Sequence, residues 1–552
     1  MRGRTLIRNA KRQLNAWLVI SLIGAAVILL PIAFVLFSLF RATNDNWAHV
    51  REYLLVDYVL GSLTLVMFTT VFATIIGVAL AWLVVGYSFP LRRFFQWALI
   101  LPLALPPYIV AFTYRTMTSY TGFIQSTLRN QFGIVIPPDT IEVMSTRGAI
   151  FVLTMCLFPY VFMITRTFLE RQSASYIENA SLLGKKNFNL FFRVVVPIAR
   201  PAIIAGMMLV VFEVLSDYGV ATYFGVQTVS TAIFQTWFGM YDVDSALRLA
   251  AWLMVIVIGI FVLERFLRRN RQFSATSSQG RPLTPRKLRG FAAAAAVGFC
   301  SLIFLLAFAI PVVQIMVWST WTFDKVWTSA FFDLAANTVK GAAIATTLIV
   351  LISFITARVC RQMSSSFAYG LSRLMTAGYA IPGAIIAIGV LAVFIALDNW
   401  LSPVYASLGK GEGALVLSLS LVMLITGYVI RFMAPGYNAV EAGYEKIPRS
   451  FSEASRTLGR GATSTFFRIE LPMLKGTVLA AFVLTFVEIV KELPLTMLLR
   501  PFNFETLATQ TYKYAIDERI YEAALPSLLL ISVSLVSIII FNQIGQRKRE
   551  KA

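Results

Sequence analysis

Long apolar runs alternate with short polar and basic stretches along most of this chain. A helix that crosses the hydrocarbon of a bilayer needs about 20 predominantly apolar residues. Runs of that kind lie at 17–40, 58–86, 94–114, 148–168, 201–224 and 247–267, and again at 291–318, 334–357, 370–397, 414–434, 475–499 and 522–542. The pattern predicts an all-α polytopic membrane protein with twelve transmembrane helices, six on either side of a polar linker. The predicted divisions are a first six-helix repeat at 1–267, a linker at 268–290 and a second six-helix repeat at 291–552. Two polar, helix-prone islands interrupt the pattern at matching places: "SYIENASLLGKKNFNLFFRVVVP" at 175–197 and "SFSEASRTLGRGATSTFFRIELP" at 450–472.

Composition agrees with the pattern. Of the 552 residues 58% are hydrophobic and 14% charged, with a mean hydropathy of +0.74, whereas soluble domains carry roughly 25% charged residues. A net charge of +21 raises the question of nucleic acid. The basic residues cluster instead before the first run, after the second, in the linker and at the end of the chain. With twelve spans all of these fall on one face, as the positive-inside rule requires of cytoplasmic segments. The expected topology has both termini cytoplasmic, and no nucleic-acid partner. Acidic or nearly neutral loops at 41–57, 223–246 and 398–413 fall on the opposite face. The first run ends in "FSLFRATND" without a small-x-small cleavage site, so a retained helix is expected rather than a signal peptide. Cys156, Cys300 and Cys360 are scattered, which predicts neither a disulfide framework nor a thiolate metal site. His49 is the only histidine.

The two halves are related. A constant spacing of 275 residues carries Pro107 onto Pro382, Glu170 onto Glu445, Glu178 onto Glu453 and Gly184 onto Gly459. It also carries Phe191-Phe192-Arg193 onto Phe466-Phe467-Arg468, Pro197 onto Pro472 and Glu213 onto Glu488. Further on, Gln235-Thr236 falls on Gln510-Thr511 and Asp242 on Asp517. Six spans per half give both halves the same orientation, and such parallel repeats pack about a pseudo-two-fold axis along the membrane normal. The linker, rich in Arg, Ser, Gly and Pro, reads as a flexible tether.

The islands share a grammar. Ser175-x-x-Glu178 and Ser450-x-x-Glu453 fit a capping box. A short helix then runs to Gly184 or Gly459, where glycine permits a turn. Pro197 and Pro472 stand near the start of the following span, where proline is tolerated. One such island could be an amphipathic loop lying on lipid headgroups. Two at symmetric positions predict docking elements for a two-fold partner.

Glu453-Ala454-Ser455, Gly459 and Ile469-Glu470-Leu471-Pro472 resemble the EAA loop of permease subunits of ATP-binding cassette importers. Glu178-Asn179-Ala180, Gly184 and Val194-Val195-Val196-Pro197 repeat it with mild departures. The resemblance covers nearly the whole chain and implies a type I importer permease, in a bacterial inner membrane, that takes substrate from a periplasmic binding protein. It implies ATPase coupling through Glu178, Ala180, Gly184, Pro197, Glu453, Ala454, Gly459 and Pro472. No G-x-x-x-x-G-K-[ST] motif occurs. The implied arrangement is therefore a non-enzymatic transport subunit without cofactors of its own, ATP and Mg residing on two separate ATPase subunits. The loops near 41–57, 115–147, 223–246 and 398–413 would face the binding protein, 115–147 being the longest.

Ionisable residues inside spans are functional candidates by default. Glu213 and Asp217 are four apart and share a helix face, and Glu488 and Glu492 repeat the arrangement. Four carboxylates facing one another, with Tyr218 adjacent, would suit a hard cation. The bland alternative is charge pairing, since Lys491 adjoins Glu492 and lies three from Glu488. The stretches "EVLSDYGVATYFG" (213–225) and "VKELPLTMLLRP" (490–501) resemble the fused ferric-iron permease group, itself similar to permeases for thiamine, thiosulfate, phosphonates and polyamines. Ferric iron is the expected cargo. A twelve-helix secondary transporter explains spans and duplication but not the paired islands. A membrane enzyme would use the carboxylates for acid–base work, yet no nucleophile accompanies them. A purely structural or receptor role leaves the matched islands unexplained.

Overall fold

A computed structural model describes residues 16–137, 142–171, 179–180, 187–269, 284–363, 365–409, 413–418 and 420–549. The first half contains α1 (Ala16–Phe37), α2 (Leu55–Gly86), α3 (Pro107–Thr118), α4 (Thr146–Arg171), α5 (Val196–Ser216), α6 (Gly219–Tyr223), α7 (Val229–Gly239) and α8 (Val243–Arg269). The second contains α9 (Gly290–Phe304), α10 (Ile310–Val326), α11 (Ser329–Gln362), α12 (Gly383–Ser407), α13 (Leu421–Tyr444), α14 (Arg449–Thr457), α15 (Lys475–Val490), α16 (Pro494–Leu499), α17 (Leu507–Ile516) and α18 (Ala524–Arg549).

Among the described residues eight helices are long and apolar enough to cross a membrane, or ten if two sharply bent pairs each count as one span. The twelve predicted runs thus divide by kind. Eight overlap one helix each that is long and apolar enough to cross. The run at 94–114 is bent by 92° between Ala104 and Pro107, and that at 475–499 begins with a 75° bend between Met473 and Lys475. The run at 414–434 becomes the 24-residue α13, interrupted in its apolar character by Arg431 and Glu441. The last contributes a shorter apolar stretch, Ala524–Ile540.

Prolines explain most of the breaks. Proline lacks an N–H and pushes the preceding residue out of the helical region. Pro106 (ψ 131°) and Pro382 (ψ 140°) each hold the extended N-cap position from which α3 and α12 begin. The structural counterpart of Pro382 is therefore Pro106, one residue before the proline that the constant spacing selects. Pro382 also divides the predicted run 370–397 into two helices. At Phe191–Val195 and Phe466–Glu470 the chain widens into a π-turn in both halves. Pro197 and Pro472 follow directly, and each leaves a carbonyl one turn back without its usual donor.

After the carboxylate pairs the spacing drifts. α7 and α17 both start from a threonine capping box, Thr228 with Thr231 and Thr506 with Thr509. These starts are three residues out of register with the 275 spacing, so Gln235 and Gln510 are not equivalent. Tyr241 and Glu518 hold the same left-handed position just beyond the two helices (φ 53° and 58°), so Asp242 does not correspond to Asp517 either. The predicted outer loops are also shorter than expected: 223–246 contains the largely buried α7, and 115–147 contains a helix at Phe123–Phe132. Asp398 lies inside α12, buried, where it accepts bonds from Tyr405 Oη (2.9 Å) and the amides of Leu417 and Ser418 (3.0 and 2.7 Å).

The halves exchange their first helices. α1 packs against α11 and α12 of the other half, where a Cβ on Gly24 would lie 3.2 Å from Ile352 and one on Gly389 would lie 2.9 Å from the Pro31 carbonyl. Conversely, Phe304 packs edge-on against Phe94 (5.5 Å) and Tyr114 Oη donates to the Leu306 carbonyl (2.5 Å). Within the first half, Gly77 of α2 and Gly206 of α5 both close on Val161 of α4. In the second half the roles reverse: Gly436, at the place of Val161, receives Ile349 of α11. Close helix contact through small residues is the usual basis of packing in lipid. Gly389→Leu is accordingly expected to force α1 off α12, with overpacking of about 1–3 kcal/mol. A lowered thermal midpoint of the detergent-solubilised protein checks this, and an unchanged midpoint would contradict the contact.

Of the linker, 270–283 lies outside the described residues. Its far end is tied down: Arg286–Lys287 (β2) pairs in parallel with Tyr87–Ser88 (β1) at the end of α2, and Leu288 N–H donates to the Ser88 carbonyl (2.9 Å).

Candidate functional site

α5 and α15 end at Ser216 and Val490, and each is followed after two or three non-helical residues by a short helix, α6 or α16. A cavity of about 120 Å³ lies beside these two breaks. The first half contributes Tyr108, Tyr160, Glu213, Asp217 and Tyr218, and the second contributes Tyr379, Arg431, Glu488, Lys491 and Glu492. The predicted pairs Glu213/Asp217 and Glu488/Glu492 therefore meet at one place, as the sequence pattern anticipates.

They do not meet as bare carboxylates. Asp217 accepts from the amides of Ala221 (3.0 Å) and Val220 (3.5 Å), which closes the first turn of α6. Glu492 accepts from the Leu495 amide (3.1 Å) and does the same for α16. In each half, the carboxylate at the break, one residue before the N-cap, accepts from amides in the first turn of the helix that follows it. Glu488 pairs with Lys491 at 2.8 Å, the bond that the bland reading expects. Glu213 lies within electrostatic reach of Arg431, Glu488, Lys491 and Glu492. Tyr218 stacks on Phe234 of α7 (3.7 Å between ring centroids) and lines the cavity. Among the described residues, no group of three or more His, Cys, Asp or Glu side chains closes around a single point that could hold a metal ion.

Arg431 is the residue that the sequence reading passes over. It projects from α13 and is only 7% exposed. Its guanidinium donates to the Ile381 carbonyl, to the Tyr379 carbonyl (3.2 Å) and, across the boundary between the halves, to Ser216 Oγ (3.2 Å). The first two acceptors belong to the backbone that Pro382 interrupts. The signal was a lone arginine inside an apolar run, which by itself marks a candidate site. Tyr160 and Tyr379, which also line the cavity, carry no comparable signal, because buried tyrosines are common in any apolar core.

The island residues lie at the opposite ends of α5 and α15. Glu178 and Gly184 are outside the described residues, and Ala180 is half-buried. In the second island α14 carries Glu453 and Ala454, both exposed. Its start differs from the predicted capping box. Pro448 is the N-cap (φ −56°, ψ 140°), so the helix begins at Arg449 and Ser450 already lies within its first turn. Proline presets the entry conformation and displaces the serine from the cap. Gly459 takes the expected left-handed conformation (φ 81°) just after the helix. Pro197 and Pro472 both occupy the first turn after the π-turns, where a missing N–H costs little. Phe451, Leu458 and Phe467 are exposed around α14.

Two stretches of the chain, 73–268 and 349–550, each match the family described as the binding-protein-dependent transport system inner membrane component. The chain belongs to this family. One match falls on each half, so the molecule is a fused, duplicated permease subunit of an ABC importer, and the secondary-transporter and membrane-enzyme alternatives fall away. This permease is 26% identical over 507 residues to the Fe(3+)-transport system permease protein FbpB 2 of Haemophilus influenzae, covering 90% of this chain and 92% of that one. It is 23% identical over 411 residues to the putative ferric transport system permease protein FbpB 1 of the same organism, covering 70% and 61%. The molybdenum transport system permease protein ModB of Escherichia coli is 30% identical over 161 residues, which covers 29% of this permease and 68% of that protein.

Proposed function

We propose that this permease carries ferric iron from a periplasmic binding protein to the cytoplasm. The observation that carries the reading is the near full-length similarity to a ferric permease. The chemistry of the cavity supports it: Glu213, Asp217, Glu488 and Glu492 with Tyr218 supply hard oxygen donors to a hard cation. In this reading two ATPase subunits, holding ATP and Mg, seat on the island around Glu178, Ala180, Gly184 and Pro197 and on that around Glu453, Ala454, Gly459 and Pro472. Closure of the ATPases pushes on both islands, and the halves rock so that the cavity faces outward and then inward. The cytoplasmic assignment of both termini and of the linker rests on their basic residues. The permease itself holds no cofactor.

The cavity also favours a second reading. Arg431 and Lys491 line it beside the carboxylates, and buried cations suit an oxyanion. A molybdenum permease is among the relatives. Labelled ferric-iron uptake, in cells with and without this gene and without a redundant iron route, separates the two. Molybdate and thiamine uptake are run alongside. Loss of iron uptake alone is the expected result. Unchanged iron uptake together with lost molybdate uptake would replace ferric iron by the oxyanion.

A further inference from the structure

The two islands carry different residues at matching places. Glu470, the last residue of the second π-turn, is 3% exposed yet carries a carboxylate. Ser452 Oγ of α14 donates to it at 2.9 Å, and Tyr444 Oη at the end of α13 donates at 3.2 Å. Arg358 of α11 pairs with it at 3.6 Å, both side chains being almost wholly buried. The Arg358 guanidinium also lies over the rings of Trp17 at the start of α1 (4.6 Å) and Phe466 (5.1 Å), which themselves meet edge-on at 5.2 Å. One carboxylate thus ties the second island to α11 and α13 directly, and through Arg358 to the exchanged first helix.

At the constant 275-residue spacing, the first half places Val195 for Glu470, Leu83 for Arg358, Leu169 for Tyr444 and Ile177 for Ser452. Every member of the polar hub is apolar in the other copy. Val195 and Leu169 are each 1% exposed. Among its described residues the first island packs through rings: Phe191 lies near Trp82 (6.4 Å), which meets Tyr87 (5.7 Å), and Tyr87 belongs to the short ladder with the linker. At Val195 and Leu169 an apolar side chain is therefore accommodated, buried, at the matching place. A buried ion pair is often no more stable than well-packed apolar residues of similar volume, so stability alone gives no reason for the polar version. What directional bonds add is geometry: hydrogen bonds fix rotation and sliding, which apolar contacts tolerate.

We propose that Glu470 is a positioning residue that locks the second island to the membrane helices, so that the two islands transmit the ATPase stroke unequally and the second is the stiffer lever. The inference rests on the coupling reading given above for both islands.

The test compares the full permease, assembled with its ATPase and binding protein in proteoliposomes, in three variants. Glu470→Val leaves Arg358 buried opposite an apolar side chain and is expected to lower both thermal midpoint and uptake. The quadruple variant Arg358→Leu, Tyr444→Leu, Ser452→Ile and Glu470→Val installs the first half's residues. It is expected to recover the midpoint while cargo moved per ATP hydrolysed stays reduced, by roughly 2- to 30-fold. Ser452→Ala removes only the bond from the island and should lower the same ratio with ATPase assembly intact, whether or not the quadruple variant accumulates. Wild-type cargo per ATP in a folded quadruple variant, or in Ser452→Ala, would overturn the inference and leave the hub as packing. A wild-type permease that shows no ATP-driven uptake would instead overturn the coupling reading beneath it.

Discussion

Arg431→Met is expected to destabilise this permease by about 3–5 kcal/mol, the cost of removing one member of a buried, hydrogen-bonded charge cluster. The guanidinium serves three acceptors: the carbonyls of Tyr379 and Ile381 and the hydroxyl of Ser216. Methionine fills much of the volume and satisfies none of them. The carbonyls belong to the backbone that Pro382 keeps from continuing as helix, so no i+4 amide can replace the lost donor. The carboxylates facing the cavity also lose one of the two cations that line it, leaving Lys491. The effect should appear as a lower thermal midpoint in detergent, with weaker association between the halves because Ser216 belongs to the first and Arg431 to the second. Arg431→Lys should fall between, since one ammonium cannot span three acceptors arranged for a planar fork. An unchanged midpoint in Arg431→Met would show that the cluster is not structural.

Reversing both island glutamates, Glu178→Arg with Glu453→Arg, is expected to reduce ATP-driven uptake to background and to abolish co-purification of the ATPase. Glu453 is exposed on a nine-residue helix, and surface substitutions usually change stability by no more than about 0.5 kcal/mol. Insertion and accumulation of the permease should therefore be normal, and the loss would be one of docking. Each substitution reverses a charge at an interface, where like-charge juxtaposition costs several kcal/mol. Membrane abundance, ATPase pull-down and uptake are measured on the same preparation. Transport that survives in the double variant would sink the coupling assignment.

These two sites were not equally legible. The carboxylate pairs and the islands stand out because polar residues inside apolar runs are costly and rare. The 275-residue repeat also aligns the two π-turns without adjustment. Arg431 escaped because a single charge barely lowers the mean hydropathy of a run such as 414–434, and its importance lies in acceptors supplied by two other segments. Register was lost wherever the chain leaves regular helix. A single residue of difference moves the N-cap from Pro107 to Pro106, and extra residues beyond Glu492 displace the Thr506 capping box. At Ser450 a sound local signal met a stronger one, since Pro448 starts the helix earlier. The exchange of first helices left no trace in the pattern. α1 is apolar on all sides, with buried and lipid-facing positions of similar character, so its sequence does not say which bundle it joins.

That exchange bears on how the molecule is made. α1 is synthesised long before the α11 and α12 surfaces that receive it, which lie about 290 residues or more further along the chain. At ordinary elongation rates the delay is on the order of tens of seconds. During it α1 lacks these two partners, and lipid cannot satisfy a stray polar group. Its buried hydroxyl, Ser21, is already provided for, donating to the Trp17 carbonyl within the same helix at 2.9 Å. The helix thus has its one buried hydroxyl satisfied within itself before it becomes a span shared between the halves.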